Sequence, residues 1–151
     1  MSLDQKQVMS AAASIREAYE AKSPIAALRN SYDMEIDDAY AVQEENTKHW
    51  LTQGRLLSGR KIGVTSHAVQ SQLGVDQPDF GMLFSDMAFA DGQEISMSHL
   101  LQPRIEGEIA FYLGKDLDSP GITLAEVLSS IEYAVAAIEV VDSRIANWDI
   151  Q

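Results

Sequence analysis

The sequence contains no cysteine, only four prolines, and 11 lysines and arginines against 23 aspartates and glutamates. Without cysteine there is no disulfide framework, no thiolate nucleophile and no cysteine zinc site. The net charge of −12 argues against nucleic acid or an anionic membrane surface as partner, since both would repel the chain. No apolar run approaches the roughly 18 residues of a membrane-spanning helix. The N-terminus is polar and unlike a signal peptide, so a cytoplasmic location is the expectation. No internal repeat or low-complexity tract stands out. What is present is 46% hydrophobic content over 151 residues, enough for one domain with a real core.

The pattern predicts an α+β fold, with a helical segment over residues 1–55 and a β-rich region over 56–151, together one structural domain. Residues 2–22 read as a helix with Val8, Ala12, Ile15 and Tyr19 along one face and Ser2 and Gln5 as a capping box. Pro24 ends it, because the residue before a proline avoids the helical region. A short link through Leu28 and Tyr32 leads to a second helix over 36–53. Its acidic start, Glu35, Asp37 and Asp38, suits the positive end of the helix dipole. Tyr40, Trp50 and Leu51 are its expected packing residues, and Gly54 is placed to close it.

Beyond residue 55 the period changes. Residues 56–65 (LLSGRKIGVT) read as a strand on which Lys61 points opposite to Arg60 and Ile62. A strand lysine is usually an exposed edge charge. Here Gly59 and Gly63 would let a ligand or another backbone come close. Ser66 caps a short helix over 67–73, closed by Gly74. Residues 75–80 read as a polar loop in which Asp79 is a turn-former, followed by a short strand, GMLF. Asp91-Gly92 marks a turn and 95–97 a short strand. Thr123 and Glu126 form a capping box for a further short helix.

The stretch LQPRIEGEIAFYL (101–113) alternates strictly, placing Glu106 and Glu108 on one strand face. On pattern alone such a pair is more often a solvated face than a site. A second run, YAVAAIEVV (133–141), reads as a strand buried on both faces and carries one charge, Glu139. A carboxylate in such a place needs a partner. Two glutamates on one strand and a third on another make an oxygen-donor site suited to Mg²⁺ or Mn²⁺.

GRKIGVTS (59–66), QLGVDQPDFGMLF (72–84), QPRIEGEIAF (102–111) and IEVVDSRI (138–145) together resemble the 2-oxopent-4-enoate (2-hydroxypenta-2,4-dienoate) hydratases of the fumarylacetoacetate hydrolase superfamily. The chain looks like the N-terminal three-fifths of such a protein. The resemblance implies the superfamily's mixed, mostly β fold behind the N-terminal helices. It implies metal ligands at Glu106, Glu108 and Glu139, with Mg²⁺ or Mn²⁺ as the ion. It matches an active-site lysine to Lys61 and a hydratase-type aspartate to Asp79. Gly107 stands where alanine is frequent, which leaves the ligand parity intact. The implied reaction is hydration of 2-hydroxypenta-2,4-dienoate to 4-hydroxy-2-oxopentanoate in aromatic meta-cleavage. Implied partners are further copies of the chain and the sister 4-oxalocrotonate decarboxylase. That decarboxylase is itself the nearest rival reading, separated by its tendency to an apolar residue where Asp79 stands. A non-catalytic subunit is the reading from another class.

Overall fold

Two amphipathic helices open the chain. The computed structural model describes residues 2–150, and Met1 and Gln151 lie outside it. Helix α1 runs Gln5–Ala21 and α2 runs Ile36–Thr52. Val8, Ala11 and Ala12 of α1 meet Val42 of α2, with Leu3, Leu28, Tyr32 and Ala41 packed around them. Small alanines let the two helices approach closely. Buried Asn46 accepts a 2.7 Å hydrogen bond from the Arg16 guanidinium across the same interface.

The start of α1 departs from the expected Ser2–Gln5 box. Asp4 is the N-cap, its carboxylate accepting from the Gln7 N–H while the Gln7 side chain accepts from the Asp4 N–H, both at 2.9 Å. Ser2 is engaged elsewhere, donating its hydroxyl to Asp38 at 2.7 Å. Asp38 also accepts from the Leu3 and Glu35 N–H groups, each at 2.9 Å, and is buried. These hydrogen bonds, the Glu35 N–H foremost, then the Ser2 hydroxyl and the Leu3 N–H, hold the Asp38 carboxyl below its ordinary value. An acidic residue expected only to suit the helix dipole thus pins the entry of α1 onto the start of α2. The end of α2 falls at the expected place, with Gly54 at φ +85°. Leu51, expected to pack, is 45% exposed.

Strand β1 (Leu57–Gly63) pairs antiparallel with β2 (Asp79–Phe84), and α3 (His67–Leu73) lies between them in sequence. Ser66 caps α3 through its hydroxyl, and Gly74 ends it in the left-handed region, both as expected. β2 begins earlier than the polar 75–80 segment suggested, because register with β1 draws Asp79 into the ladder opposite Gly63. Residues 95–97 do not form a strand. A 3₁₀ turn over Met97–His99 occupies the end of this segment, capped by the Ser96 hydroxyl, so a local side-chain bond competes with extended structure. The Asp91-Gly92 turn is present.

An aromatic ladder seats β2. Trp50 of α2 meets Tyr19 of α1 edge-on at 5.5 Å and Phe84 at 5.7 Å. Arg55 lies 4.2 Å over the Phe84 ring and forms a two-pronged ion pair with Asp86, both bonds 2.8 Å. That pair holds the Asp86 carboxyl below its ordinary value. The chain's last described segment joins this unit through a parallel bridge between Ile25 and Ile145 and an Arg29–Asp149 ion pair.

Residues up to Leu101, with those from Ser143, form one compact unit, and Gln102–Asp142 a second. In the second unit β3 (Arg104–Leu113) and β4 (Ile131–Val141) pair antiparallel, linked by α4 (Leu124–Ser130) with its Thr123–Glu126 capping box. The mixed α+β architecture is the one expected. β4 corrects one expectation: it is not buried on both faces. Tyr133, Val135 and Ile138 are 47%, 41% and 71% exposed. Among the described residues β3 and β4 are each other's sole strand partners, and a two-stranded ribbon covers neither of its faces.

Candidate functional site

Cross-strand register explains how the three glutamates meet. Glu106 of β3 stands directly opposite Glu139 of β4. Paired residues share a face, and Glu108 shares it too, two residues along β3. Carboxylate oxygens of Glu106, Glu108 and Glu139 lie within 4.8 Å of one another. Glu139 is half-buried while Glu106 and Glu108 are exposed, so the trio opens to one side. Like charges directly across a ladder repel, and a hard divalent cation is the natural counter-charge for three oxygen donors. Gly107, between Glu106 and Glu108, lies on the opposite face, where a Cβ would meet nothing within 4 Å.

Lys61 and Asp79 meet in the other unit. Their strands put Lys61 opposite Gly81 and Asp79 opposite Gly63, so the two side chains share one face of β1–β2. The Lys61 ammonium is 3.7 Å from the Asp79 carboxylate, and the lysine side chain is only 24% exposed. Two glycines make the room. A Cβ on Gly63 would overlap the Asp79 carboxylate and stand 2.8 Å from the Lys61 nitrogen. A Cβ on Gly81 would stand 2.9 Å from Lys61 Cγ. The glycines flanking Lys61 suggested close approach by a ligand or backbone. At Gly63 the visitor is the chain's own carboxylate, and Gly59 has only Leu83 nearby at 4.0 Å. Asp79 is therefore a strand residue beside a lysine rather than a turn-former.

Sequence reasoning passed over Gly81, Gln43 and the second role of Tyr40. The Tyr40 hydroxyl accepts from the Phe80 N–H at 3.3 Å, and the Gln43 amide donates to the Phe80 carbonyl at 2.9 Å. The available signal was the three-residue spacing of Tyr40 and Gln43, which puts both on one face of α2. Val64, just past β1, has φ +54°, and its carbonyl accepts from the buried Gln70 side chain at 2.9 Å. Nothing in the alternation of β1 announced that bend. No described helix is long and apolar enough to cross a membrane.

No protein-family model matches the chain. It is 54% identical over 142 residues to 2-keto-4-pentenoate hydratase 2 of Dechloromonas aromatica, covering 93% of this chain and 54% of that protein. It is 52% identical over 142 residues to 2-keto-4-pentenoate hydratase of Paraburkholderia xenovorans, covering 93% and 53%. A solved 4-oxalocrotonate decarboxylase from Pseudomonas putida G7, complexed with magnesium and adipate, matches with a TM-score of 0.92 at 33% identity. That match covers 99% of this chain and 57% of the decarboxylase. A second structure of that decarboxylase, with calcium and acetate, matches at a TM-score of 0.89 and 34% identity over 95% of this chain. The chain thus spans about half the length of the curated relatives it matches. The relatives bear the hydratase name to which the four sequence blocks pointed.

Proposed function

We propose that this chain, homologous to the 2-keto-4-pentenoate hydratases over 93% of its length, serves a metal-dependent hydratase acting on 2-hydroxypenta-2,4-dienoate. The observation that carries the reading is the glutamate trio, whose oxygens converge within 4.8 Å on one face of β3–β4. Its all-carboxylate donor set fits Mg²⁺ or Mn²⁺, and magnesium accompanies the solved decarboxylase that the chain resembles. An ion held there supplies Lewis-acid stabilisation to a substrate oxygen that gains negative charge. Glu106, Glu108 and Glu139 would hold the ion. Lys61 anchors the substrate carboxylate or relays the proton that reaches C5. In that first stage the 2-hydroxyl proton leaves, C5 gains one, and the remaining double bond shifts to C3–C4. Water then adds, its hydroxyl to C4 and its proton to C3. Asp79 orients that water or accepts its proton. The product is 4-hydroxy-2-oxopentanoate. A cytoplasmic homo-oligomer, with the sister decarboxylase as companion, completes the proposal.

The decarboxylase reading is favoured by the two solved neighbours, at 33% and 34% identity against 54% for the first hydratase relative. Asp79 weighs the other way, since decarboxylation needs no group to activate water. Purified protein with Mg²⁺ should consume the dienoate and yield the hydroxy-oxo acid, followed by absorbance and chromatography. CO₂ from 2-oxo-3-hexenedioate with no hydration of the dienoate would reverse the assignment. No heat of Mg²⁺ or Mn²⁺ binding, together with no turnover, would make the chain a structural subunit.

A further inference from the structure

Asp79 is the first residue of β2 and follows Pro78, which has no N–H with which to extend the ladder. A strand end of this kind frays readily, and 3.7 Å from Lys61 leaves little tolerance for displacement. The next residue is held from outside the ribbon. Both main-chain polar groups of Phe80 bond to α2 side chains, its N–H donating to the Tyr40 hydroxyl and its carbonyl accepting from Gln43. The Tyr40 and Phe80 rings lie 6.5 Å apart and tilted by 44°, adding an apolar contact to the polar ones. β1 is the one strand paired with β2 among the described residues, so these two side chains stand where a third strand would donate and accept. The helix is itself anchored independently, by its packing on α1 and by Trp50 against Phe84 at the far end of β2.

We propose that Tyr40 and Gln43 are positioning residues for Asp79, clamping Phe80 so that the carboxylate keeps its place beside Lys61. The kinetic part of this inference rests on the hydratase reading; the geometric part does not. Gln43→Leu removes the donor at similar volume, and Tyr40→Phe removes the hydroxyl while keeping the ring. Each is expected to lower kcat on the order of tenfold to a hundredfold, the scale of an ångström-sized misplacement, with KM and Mg²⁺ affinity unchanged. In an Asp79→Asn background the same changes should have no further effect on kcat. A merely structural contribution would lower activity equally in both backgrounds and would overturn the proposal. A second readout needs no turnover. The rate at which an amine reagent labels Lys61, followed by mass spectrometry, should change in Gln43→Leu and Tyr40→Phe in the same direction as in Asp79→Asn. Labelling at the wild-type rate in both variants would overturn the proposal. Coincident labelling changes in a protein without hydratase activity would support the clamp and count against the hydratase reading alone.

Discussion

In β1–β2, Phe84 is 1% exposed, the Lys61 side chain is 24% exposed and α2 side chains grip the outer edge. In β3–β4, Ile105, Ile109 and Ile138 share a face and are 74%, 64% and 71% exposed. Both ribbons are antiparallel and both bring charged side chains together across the ladder, Lys61 with Asp79 in the first and three glutamates in the second. They differ in what surrounds them. The first draws its order from an aromatic ladder and a helix, while the second relies on ten register pairs and one short helix. Strand alternation sets which residues share a face, but only packing decides whether that face is covered.

That contrast can be broken or sharpened experimentally. Phe84→Ala should have the largest effect, about 3–5 kcal/mol of lost stability in denaturant unfolding, because it empties the site against Trp50 and Arg55. A loss below about 1 kcal/mol would mean that β2 is not seated as described. Glu106→Gln should weaken Mg²⁺ binding by calorimetry on the order of 100-fold or more while leaving the fold intact. Wild-type affinity in that variant would remove Glu106 from the ligand set. Gly63→Ala should cost about 1–3 kcal/mol and separate Lys61 from Asp79, since the added methyl occupies the carboxylate's place.

Acid should act through Asp38. Its folded-state pKa lies below the unfolded value of about 3.9, so its stabilisation is complete above that value. It is lost as pH falls through the lower, folded value. Asp38→Asn should therefore flatten the acid limb of a stability-against-pH curve, and an unchanged limb would assign acid sensitivity elsewhere. Ile138→Thr closes the series, with a change within about 0.5 kcal/mol because the side chain is already 71% exposed. A loss as large as that of Phe84→Ala would show that the β3–β4 face is covered in solution.

Much of the site was legible in sequence because strand chemistry is local. Period-two alternation put Glu106 and Glu108 on one face, and the charge inside the second apolar run singled out Glu139. Glu139 does stand with Glu106 and Glu108, but not in the doubly buried strand expected of it. It is half-buried on an open ribbon rather than enclosed in a covered strand. Capping signals at Ser66 and Thr123 were also legible, since each cap satisfies its own helix end. The Ser2 box failed because Asp38, far along the chain, competes for the Ser2 hydroxyl.

By itself the sequence determined the α+β composition, the helix ends closed by Gly54 and Gly74, and the parity that aligns the glutamates. These follow from backbone preferences and side-chain period acting over a few residues. Tertiary structure alone decided that Glu106 faces Glu139, that Asp79 enters a strand beside Lys61, and that Tyr40 and Gln43 hold its neighbour. Each of those depends on register or helix placement between segments far apart in the chain. No local preference encodes such distances; packing and hydrogen bonding across the fold select them.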